Sequence, residues 1–388
     1  MRQILCLILT FSLLFCGCSS FQTEKTELSG STEQTETSEE KPSESSTPPS
    51  DSPENDAQQN TSREIFSDEQ NPSKESPFLL CAYLPTSSAP DDLSPYAQNI
   101  ALLDYLVLNT GVYWNENGEL LVSDHFSSAV QALDGQTELW CTINPQGELI
   151  RSQTAGSTID TDEERQNLAQ NIVEFAEKHK LSGIDIDWEF PLESEWEDFS
   201  AFLVTLKDLL DTSDIGLSLA LYPQDILLEQ PAIDSIDRVH VMAYDQFDSE
   251  GLHSTMQTAK DSIDYFLSLG FSPEQLVLGI PAYGRPLDAS AQWLLYSDID
   301  LSAVSSEDPN RIDDFFFNTP QLAAEKAQYA KEQELGGVMI YHLLCDKTDE
   351  DSLIYAVSNA AFSTQETELK YKHKHKEPKT DYGFRLFV

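Results

Sequence analysis

The segment SGIDIDWEFP, numbered 182–191, alternates acidic and apolar side chains. Successive side chains of a β-strand point to opposite faces, so Asp185, Asp187 and Glu189 are predicted to line one face, and two isoleucines and a tryptophan the other. Neighbouring acids on that face would stand roughly 6 to 7 Å apart along the strand. Carboxyl groups this close interact strongly where water is scarce, which suits them to acid–base chemistry.

Eight apolar, strand-like segments alternate with helical patterns after Pro77. The predicted strands are 78–84, 105–111, 138–143, 183–189, 215–221, 238–245, 275–283 and 337–343, and the main predicted helices are 162–180, 195–210, 256–269, 320–334 and 352–362. This alternation predicts an α/β protein with a (β/α)8 TIM barrel. An open doubly wound sheet is disfavoured because no Gly-rich phosphate loop follows the first strand. Asp187 and Glu189 would end the fourth strand, where such barrels place catalytic groups.

The segments outside the predicted barrel domain, which spans 77–364, differ from it in composition. Residues 1–18 combine an early Arg2 with an apolar run too short to span a bilayer, which indicates a signal peptide. Their end, LLFCGCSS, resembles a bacterial lipobox with Cys18 as the lipidated residue; ordinary signal peptidase cleavage is the alternative. Residues 19–76 predict a disordered acidic tether, and residues 365–388 a basic polar tail. A lipid-anchored location in a bacterial cell envelope, outside the cytoplasm, is therefore expected.

The net charge and the histidine and cysteine residues of the chain limit which binding partners, metals and disulfides are expected. A net charge of -44 disfavours nucleic acid and anionic lipid by repulsion, so membrane contact is expected through the lipid anchor only. His373 and His375 in the basic tail are interpreted as solvated charge, and neither a metal nor a cofactor is predicted. Cys81, Cys141 and Cys345 are predicted to be buried thiols, with a Cys81–Cys345 pair as the open alternative.

The acidic strand resembles the D-x-x-D-x-D-x-E signature of glycoside hydrolase family 18, which includes chitinases and endo-β-N-acetylglucosaminidases. Three of its four acids are present. VMAYDQFD around Tyr244, GIPAYGR at 279–285 and GGVMIYHLLCD at 336–346 resemble further motifs of this family in the same order, so the resemblance covers 78–362. A single such motif would also fit a calcium site or a solvated edge strand, but four motifs on four strands favour common ancestry.

The resemblance implies retaining hydrolysis of a β-glycosidic bond next to N-acetylglucosamine, with the substrate's own acetamide as nucleophile. Glu189 would act as general acid and then as base. Asp187 would orient the acetamide and share a proton with the deeper Asp185, and Tyr244 would donate to the acetamide oxygen. Sugar-binding or supporting roles are implied for Asp245, Tyr341, Tyr83, Tyr283, Arg285 and Thr142. The implied partner is a glycan containing N-acetylglucosamine, bound by a monomer.

Three departures from the family pattern bear on the substrate. Ser182 stands in place of the first acid, 142–145 (TINP) replaces the usual S-x-G-G, and Tyr341 replaces the Trp that forms a sugar platform. A tyrosine ring still stacks on a pyranose, with less contact area. These changes leave chitin oligomers, peptidoglycan fragments and N-glycans open as substrates.

The segment 286–319 is too short for the large α+β insertion domain of some relatives, so a shallow, open groove is expected. Trp114, Trp293 and Phe247 are candidates for extending it by stacking, with simple packing as the alternative for each. Two other function classes stay open: a catalytically silent glycan-binding lipoprotein on the same barrel, and a surface adhesin in which the barrel is a scaffold. Retention of Glu189 favours the enzyme over the silent glycan-binding protein, whereas the long tether fits the adhesin equally well.

Overall fold

A ring of parallel strands forms the centre of the computed structural model, which describes residues 78–362. The strands of this part of the chain are, in order, β1 (Leu79–Pro85), β2 (Tyr105–Trp114), β3 (Leu120–Val122), β4 (Glu138–Pro145), β5 (Gly183–Ile186), β6 (Gly216–Leu221), β7 (Arg238–Val241), β8 (Leu276–Pro281), β9 (Tyr283–Pro286), β10 (Leu294–Leu295), β11 (Arg311–Ile312), β12 (Phe315–Phe316) and β13 (Gly337–Tyr341).

Eight of these strands close into a barrel. Their order is β1, β13, β8, β7, β6, β5, β4 and β2, and β1 also pairs with β2, which completes the ring. Every pairing around the ring is parallel, and β3 adds to β2 in the antiparallel direction. The predicted (β/α)8 barrel is confirmed, and its strands bring their carboxyl ends to one face.

Helices cover the outside of the barrel. They are α1 (Ala97–Leu102), α2 (Asp124–Leu133), α3 (Gly147–Ser152), α4 (Asp162–His179), α5 (Trp196–Leu210), α6 (Gln230–Ser235), α7 (Met256–Ser268), α8 (Pro320–Glu332) and α9 (Leu353–Ala361). A capping box begins α4: Thr161 Oγ1 accepts the Glu164 N–H at 3.2 Å, and Glu164 Oε2 accepts the Thr161 N–H at 2.9 Å. Both bonds satisfy backbone donors that the helix itself leaves unpaired.

The buried side chains form two layers. The outer layer lies between strands and helices and is almost wholly aliphatic and aromatic; the leucines and isoleucines of β5 and β6 face it. The inner layer fills the barrel and contains five buried aromatic side chains together with sulfur-containing and aliphatic ones. Strand residues alternate between the two layers, so a polar residue that faces the inside of the barrel can be recognised from its place in the two-residue alternation.

A flat aromatic side chain closes the amino-terminal end of the barrel. The ring of Trp140 lies against Gly183 and Gly216, where a Cβ on either glycine would overlap it. The Arg238 guanidinium covers the ring at 4.9 Å and also lies 5.3 Å from the ring of Tyr105. Outside this stack is a polar pocket of about 520 Å³, which both aromatic rings and Arg238 line.

Short antiparallel strands occupy the segment between β8 and α8. Strands β9 to β12 form a four-stranded sheet in the order β10, β9, β12, β11, and the residues from 287 to 319 contain no α-helix. This small sheet lies where the large insertion domain of some relatives was predicted to be missing. It also divides the predicted strand 275–283 into β8 and β9.

Several strands end earlier than predicted. The fourth barrel strand, β5, ends at Ile186 rather than Glu189, and β7 ends at Val241 rather than Asp245. Acidic and aromatic side chains follow each strand, beyond the last residues that pair in the ladder. The chemistry-bearing residues therefore lie just beyond the ladder, at the rim of the barrel.

Several sequence predictions lie outside the described residues: the signal peptide with Cys18, the tether 19–76, and the tail 365–388. Within residues 78–362, no helix is long and apolar enough to cross a membrane. Cys81, Cys141 and Cys345 are free, buried thiols, as predicted, and the alternative Cys81–Cys345 disulfide is absent.

Candidate active site

Asp185 is the innermost acid and is completely buried inside the barrel. The hydroxyls of Tyr83 and Thr142 donate to its Oδ2, each at 2.9 Å, and Ser218 Oγ donates to Oδ1 at 2.6 Å. His240 Nδ1 lies 3.3 Å from Oδ1. Both oxygens of this completely buried carboxyl group therefore have hydrogen-bond donors at the floor of the site.

Asp187 follows β5 directly and is half-buried. Its backbone N–H donates to Asn144 Oδ1 at 3.1 Å, which joins the end of β5 to the end of β4. Its Oδ1 is buried and has no hydrogen-bond partner among the described residues. Desolvation, Glu189 and Asp185 raise the pKa of this carboxyl well above its usual range.

Glu189 is the outermost of the three acids and is also half-buried. Desolvation, with a smaller contribution from the negative charge of Asp245, raises its pKa to about 7. A carboxyl group with this pKa holds a proton in a large share of molecules near neutral pH. It can therefore donate that proton to a leaving oxygen and later take one from water.

Asp245 follows β7 at a positive φ of 58°. Arg285 Nη1 donates to its Oδ1 at 2.6 Å, and the Tyr283 hydroxyl donates to Oδ2 at 2.9 Å. Burial raises the pKa of Asp245, whereas these two partners lower it. Both β9 residues are themselves buried, so Arg285 and Tyr283 contact Asp245 and hold it at the rim.

Aromatic rings form one wall above the acids. Tyr341, half-buried at the end of β13, stacks on Tyr244 with ring centroids 5.7 Å apart and lies 5.6 Å from the ring of Tyr83. Trp293 lies face to face on Tyr283 at 3.8 Å and presents its edge to Tyr341 at 6.4 Å. Flat apolar faces beside carboxyl groups suit the mixed polar and apolar surface of a pyranose ring.

A buried lysine supports the segment behind Asp245. Lys326 of α8 is inaccessible to solvent, and its Nζ donates to the carbonyl oxygen of Ser254 at 2.6 Å and to Ser254 Oγ at 2.9 Å. Ser254 Oγ in turn donates to the Ala243 carbonyl at 2.8 Å. His253, the residue before Ser254, stacks on Tyr283, with 5.6 Å between ring centroids. Desolvation lowers the pKa of Lys326 to about 7.

The structure brings together all ten barrel residues named by sequence in site roles, but it divides them by depth. Thr142 and Tyr83 contact the inner acid, Asp185, and Arg285 and Tyr283 contact Asp245. Asp187, Glu189, Tyr244 and Tyr341 follow or end their strands at the rim of the barrel. Of the three candidates for extending the groove, Trp114 packs in the core against Trp188, Trp293 joins the aromatic wall, and Phe247 lies under the Arg285 guanidinium at 5.2 Å.

Sequence reasoning did not assign three polar residues that the structure places in the site. Ser218 and His240 contact Asp185 from β6 and β7, and Asn144 accepts from Asp187. Ser218 and His240 each occupy a position that faces the inside of the barrel. Because side chains of a strand alternate between two faces, a polar residue at such a position could have been recognised from the sequence. Within the described residues, no group of three or more His, Cys, Asp or Glu side chains could hold a metal ion.

These features define a (β/α)8 barrel whose strand ends carry a row of carboxyl groups beside an aromatic wall, the kind of site in which carboxyl groups act on glycosidic bonds. Residues 152–346 match the sequence profile of Glycosyl hydrolases family 18. The chain belongs to that family.

Two curated relatives with similar sequences are chitinases by name. The chain is 29% identical over 153 residues to Probable chitinase 2 of Drosophila melanogaster, which covers 34% of this chain and 31% of the relative. It is 23% identical over 272 residues to Endochitinase 1 of Metarhizium robertsii, covering 55% of this chain and 63% of the relative. The matches thus span less than two thirds of the length of either relative.

Solved structures share the fold. A family 18 chitinase from the chitin utilization locus of Flavobacterium johnsoniae superposes with a TM-score of 0.64 at 22% identity, covering 73% of this chain and 94% of that one. A chitinase from Bacteroides thetaiotaomicron gives a TM-score of 0.61 at 20% identity, covering 74% and 97%. At these identities the likeness shows the barrel alone.

Proposed function

We propose that the protein is a retaining glycoside hydrolase that cleaves β-glycosidic bonds next to N-acetylglucosamine with the help of the substrate's acetamide. The proposal rests on three neighbouring acids that differ in burial and in hydrogen bonding. Asp185 is completely buried among three hydroxyl donors, Asp187 has a buried oxygen without a hydrogen-bond partner among the described residues, and Glu189 keeps a proton near neutral pH because its pKa is raised to about 7.

Glu189 is the general acid and base of this reaction. In the first step its proton passes to the glycosidic oxygen while the C1–O bond breaks, and the acetamide oxygen forms a bond to C1 in its place. In the second step the Glu189 carboxylate takes a proton from water as that water attacks C1 and the acetamide is released. The two displacements at C1 leave its configuration unchanged.

Asp187 and Tyr244 position the acetamide between these steps. The carboxyl group of Asp187, whose Oδ1 has no partner among the described residues, accepts the acetamide N–H, and this hydrogen bond stabilises the positive charge that develops on that nitrogen. Tyr244, whose ring stacks on Tyr341, donates its hydroxyl to the acetamide oxygen. Burial and neighbouring negative charge raise the pKa of Tyr244 well above its usual range, so it stays a donor at working pH.

Chitin-type oligosaccharides are the proposed substrate class, which the names of the curated relatives support. The aromatic wall formed by Tyr341 and Trp293 suits repeated pyranose rings. The test is hydrolysis of a chromogenic N,N′-diacetylchitobioside, with Glu189→Gln as the matched variant. Turnover that falls by about 10²- to 10⁴-fold in the variant supports the proposal. Glycan binding without turnover in the unmodified protein would replace it with the silent glycan-binding alternative.

The cellular place of the reaction is also a proposal. The apolar run of residues 1–18 and the sequence LLFCGCSS support lipid attachment at Cys18 and action in the cell envelope. Expression in bacteria with labelled palmitate is expected to label the protein, and a Cys18→Ala variant is expected to lose that label and leave the membrane fraction. Label retained by the variant would assign the anchor elsewhere.

A further inference from the structure

His240 is a buried histidine inside the barrel that the proposed reaction leaves without a role. Its Nδ1 lies 2.7 Å from the Tyr83 hydroxyl, and its Nε2 lies 2.8 Å from the Tyr105 hydroxyl. Tyr83 and Tyr105 are each only 2% exposed, and His240 is completely buried. The three rings form a continuous hydrogen-bonded chain from Asp185 to the closed end of the barrel.

Counting hydrogens fixes the direction of this chain. The Tyr83 hydroxyl donates its single hydrogen to Asp185 Oδ2, so its oxygen can only accept at the contact with His240 Nδ1. Nδ1 therefore carries a hydrogen. In a neutral imidazole the other nitrogen is then an acceptor; the hydroxyl of Tyr105 is the nearer donor to it, at 2.8 Å, and the thiol of Cys81 lies farther away, at 4.0 Å. Every donor in the chain points toward Asp185.

We propose that Tyr105 and His240 are positioning residues for the catalytic acids: Tyr105 holds His240 in the neutral tautomer protonated at Nδ1, and that tautomer keeps the hydrogen of Tyr83 on Asp185. The inference deepens the proposed function and rests on it only for the catalytic role of the acids. No proton moves along the chain in the resting protein. Its effect is to orient one hydroxyl at each link.

The opposite tautomer would weaken the floor of the site. If Nε2 carried the hydrogen, Nδ1 would accept from Tyr83, and Asp185 would lose one of its three hydroxyl donors. Loss of a donor makes a carboxylate more basic, and Asp185 shares its electrostatic environment with Asp187. The two acids together would then take up their second proton at a higher pH.

Five titratable or charged groups on the surrounding strands lie near the His240 ring or its hydrogen-bond partners. They are Cys81 and Tyr83 of β1, Tyr105 of β2, Asp185 of β5 and Arg238 of β7. Cys81 Sγ lies 4.0 Å from Nε2, and burial raises the pKa of its thiol to about 12. Desolvation also raises the pKa of both tyrosines well above the usual range. Both tyrosines therefore keep their hydrogens at working pH.

The tautomer can be measured without any substrate. We would label the histidines of the full chain with ¹⁵N and record nitrogen shifts, assigning His240 by the signal missing from a His240→Asn variant. The expected result at neutral pH is one protonated nitrogen, Nδ1, and one unprotonated nitrogen, Nε2. A doubly protonated ring, or a hydrogen on Nε2, would overturn the proposal.

The functional consequence is read from the acidic limb of the kcat profile against pH. Tyr105→Phe removes the distant hydroxyl while keeping ring volume, and we expect the limb to move to higher pH by about 0.5 to 1 unit. Ser218→Ala removes a direct donor to Asp185 and is expected to shift the limb the same way. Tyr355→Phe, which deletes a hydroxyl from an exposed ring of α9, is the matched control and should not move it.

A profile of Tyr105→Phe that coincides with the unmodified protein, while Ser218→Ala shifts, would overturn the positioning role. A general loss of stability would lower kcat at every pH without moving the limb, so the pH profile separates positioning from damage to the fold. If the unmodified protein shows no turnover, the proposed function fails, and the nitrogen shifts alone decide the tautomer.

Discussion

Arg285 and Asp245 form a buried ion pair, with 2.6 Å between Nη1 and Oδ1, and both side chains are less than 10% exposed. The cation partly offsets the cost of burying the carboxylate and lowers its pKa against the effect of desolvation. Asp245 lies in a left-handed backbone conformation at the rim, where its position depends on this partner and on Tyr283.

Replacement of Arg285 by Met should leave the carboxylate without its cation. We expect the free energy of unfolding to fall by about 3 to 5 kcal/mol, because an unpaired buried charge is costly. The double variant Arg285→Met/Asp245→Asn should recover part of that loss, since the charge itself is then absent. Urea unfolding of the two single variants and the double variant measures the coupling. Strictly additive losses would show that the pair does not act as a unit.

The raised pKa of Glu189 predicts the basic limb of activity. Only the protonated carboxyl can act as an acid, so kcat/KM should fall as pH rises through about 7, approaching tenfold per pH unit beyond it. Initial rates on the chromogenic diacetylchitobioside between pH 4 and pH 9 check this. An Asp245→Asn variant should move the limb to lower pH, because the neighbouring negative charge contributes to the shift. A limb that does not move would remove Asp245 as a cause.

The same carboxyl should also make stability depend on pH. Its folded pKa of about 7 exceeds the ordinary glutamate value of 4.5, so between these pH values the folded state holds a proton that the unfolded state has lost. Stability must then fall as pH rises through this window. Glu189→Gln cannot ionise, so the Tm of the variant relative to the unmodified protein should rise from pH 4.5 to pH 7.5. A constant difference across calorimetric scans would contradict the shift.

Lys326 predicts the reverse dependence. Desolvation lowers its pKa from 10.5 to about 7, and none of the ion pairs within residues 78–362 includes it. Between those pH values the unfolded state binds a proton that the folded state lacks, so stability rises with pH. Relative to a Lys326→Met variant, the unmodified protein should gain stability from pH 7 to pH 9.5 in urea titrations. Lys331→Met, on the exposed face of α8, is the control and should give no such trend.

Trp293 predicts a contribution to glycan binding. Its ring lies flat on Tyr283 and edge-on to Tyr341, at the open side of the acids. Trp293→Ala should raise KM for chitin oligosaccharides by about tenfold with little change in kcat, because stacking contributes of the order of 1 kcal/mol. Trp293→Phe should retain part of the effect. An unchanged KM in the alanine variant would place the sugar elsewhere.

The sequence predicted the barrel well because each strand is a short apolar run between turn and helix signals, and eight such runs leave few alternatives. The ends of strands were harder. The acidic segment keeps its alternation through Glu189, but the ladder stops at Ile186, and the next N–H is bonded to the side chain of Asn144. Alternation records which way a side chain points and carries no information on whether its backbone is paired.

Contacts across the barrel were beyond reach of local pattern. His240 lies 157 residues from Tyr83 and 135 from Tyr105, and only closure of the ring brings the three together. Lys326 reads in sequence as one more charge on a polar helix, yet it is buried against a loop 72 residues away. Long-range packing, rather than propensity, gives these two residues their environment.

The Trp140 ring packs over Gly183 and Gly216 at the amino-terminal end of the barrel, opposite the acids. In the proposed reaction, sugar and water would therefore both reach the acids from the carboxyl-terminal face. The leaving-group sugar would then have to dissociate through this face before a water molecule can bind next to C1 of the remaining sugar. A shared route for sugar and water would thereby place release of the leaving group before hydrolysis of the intermediate.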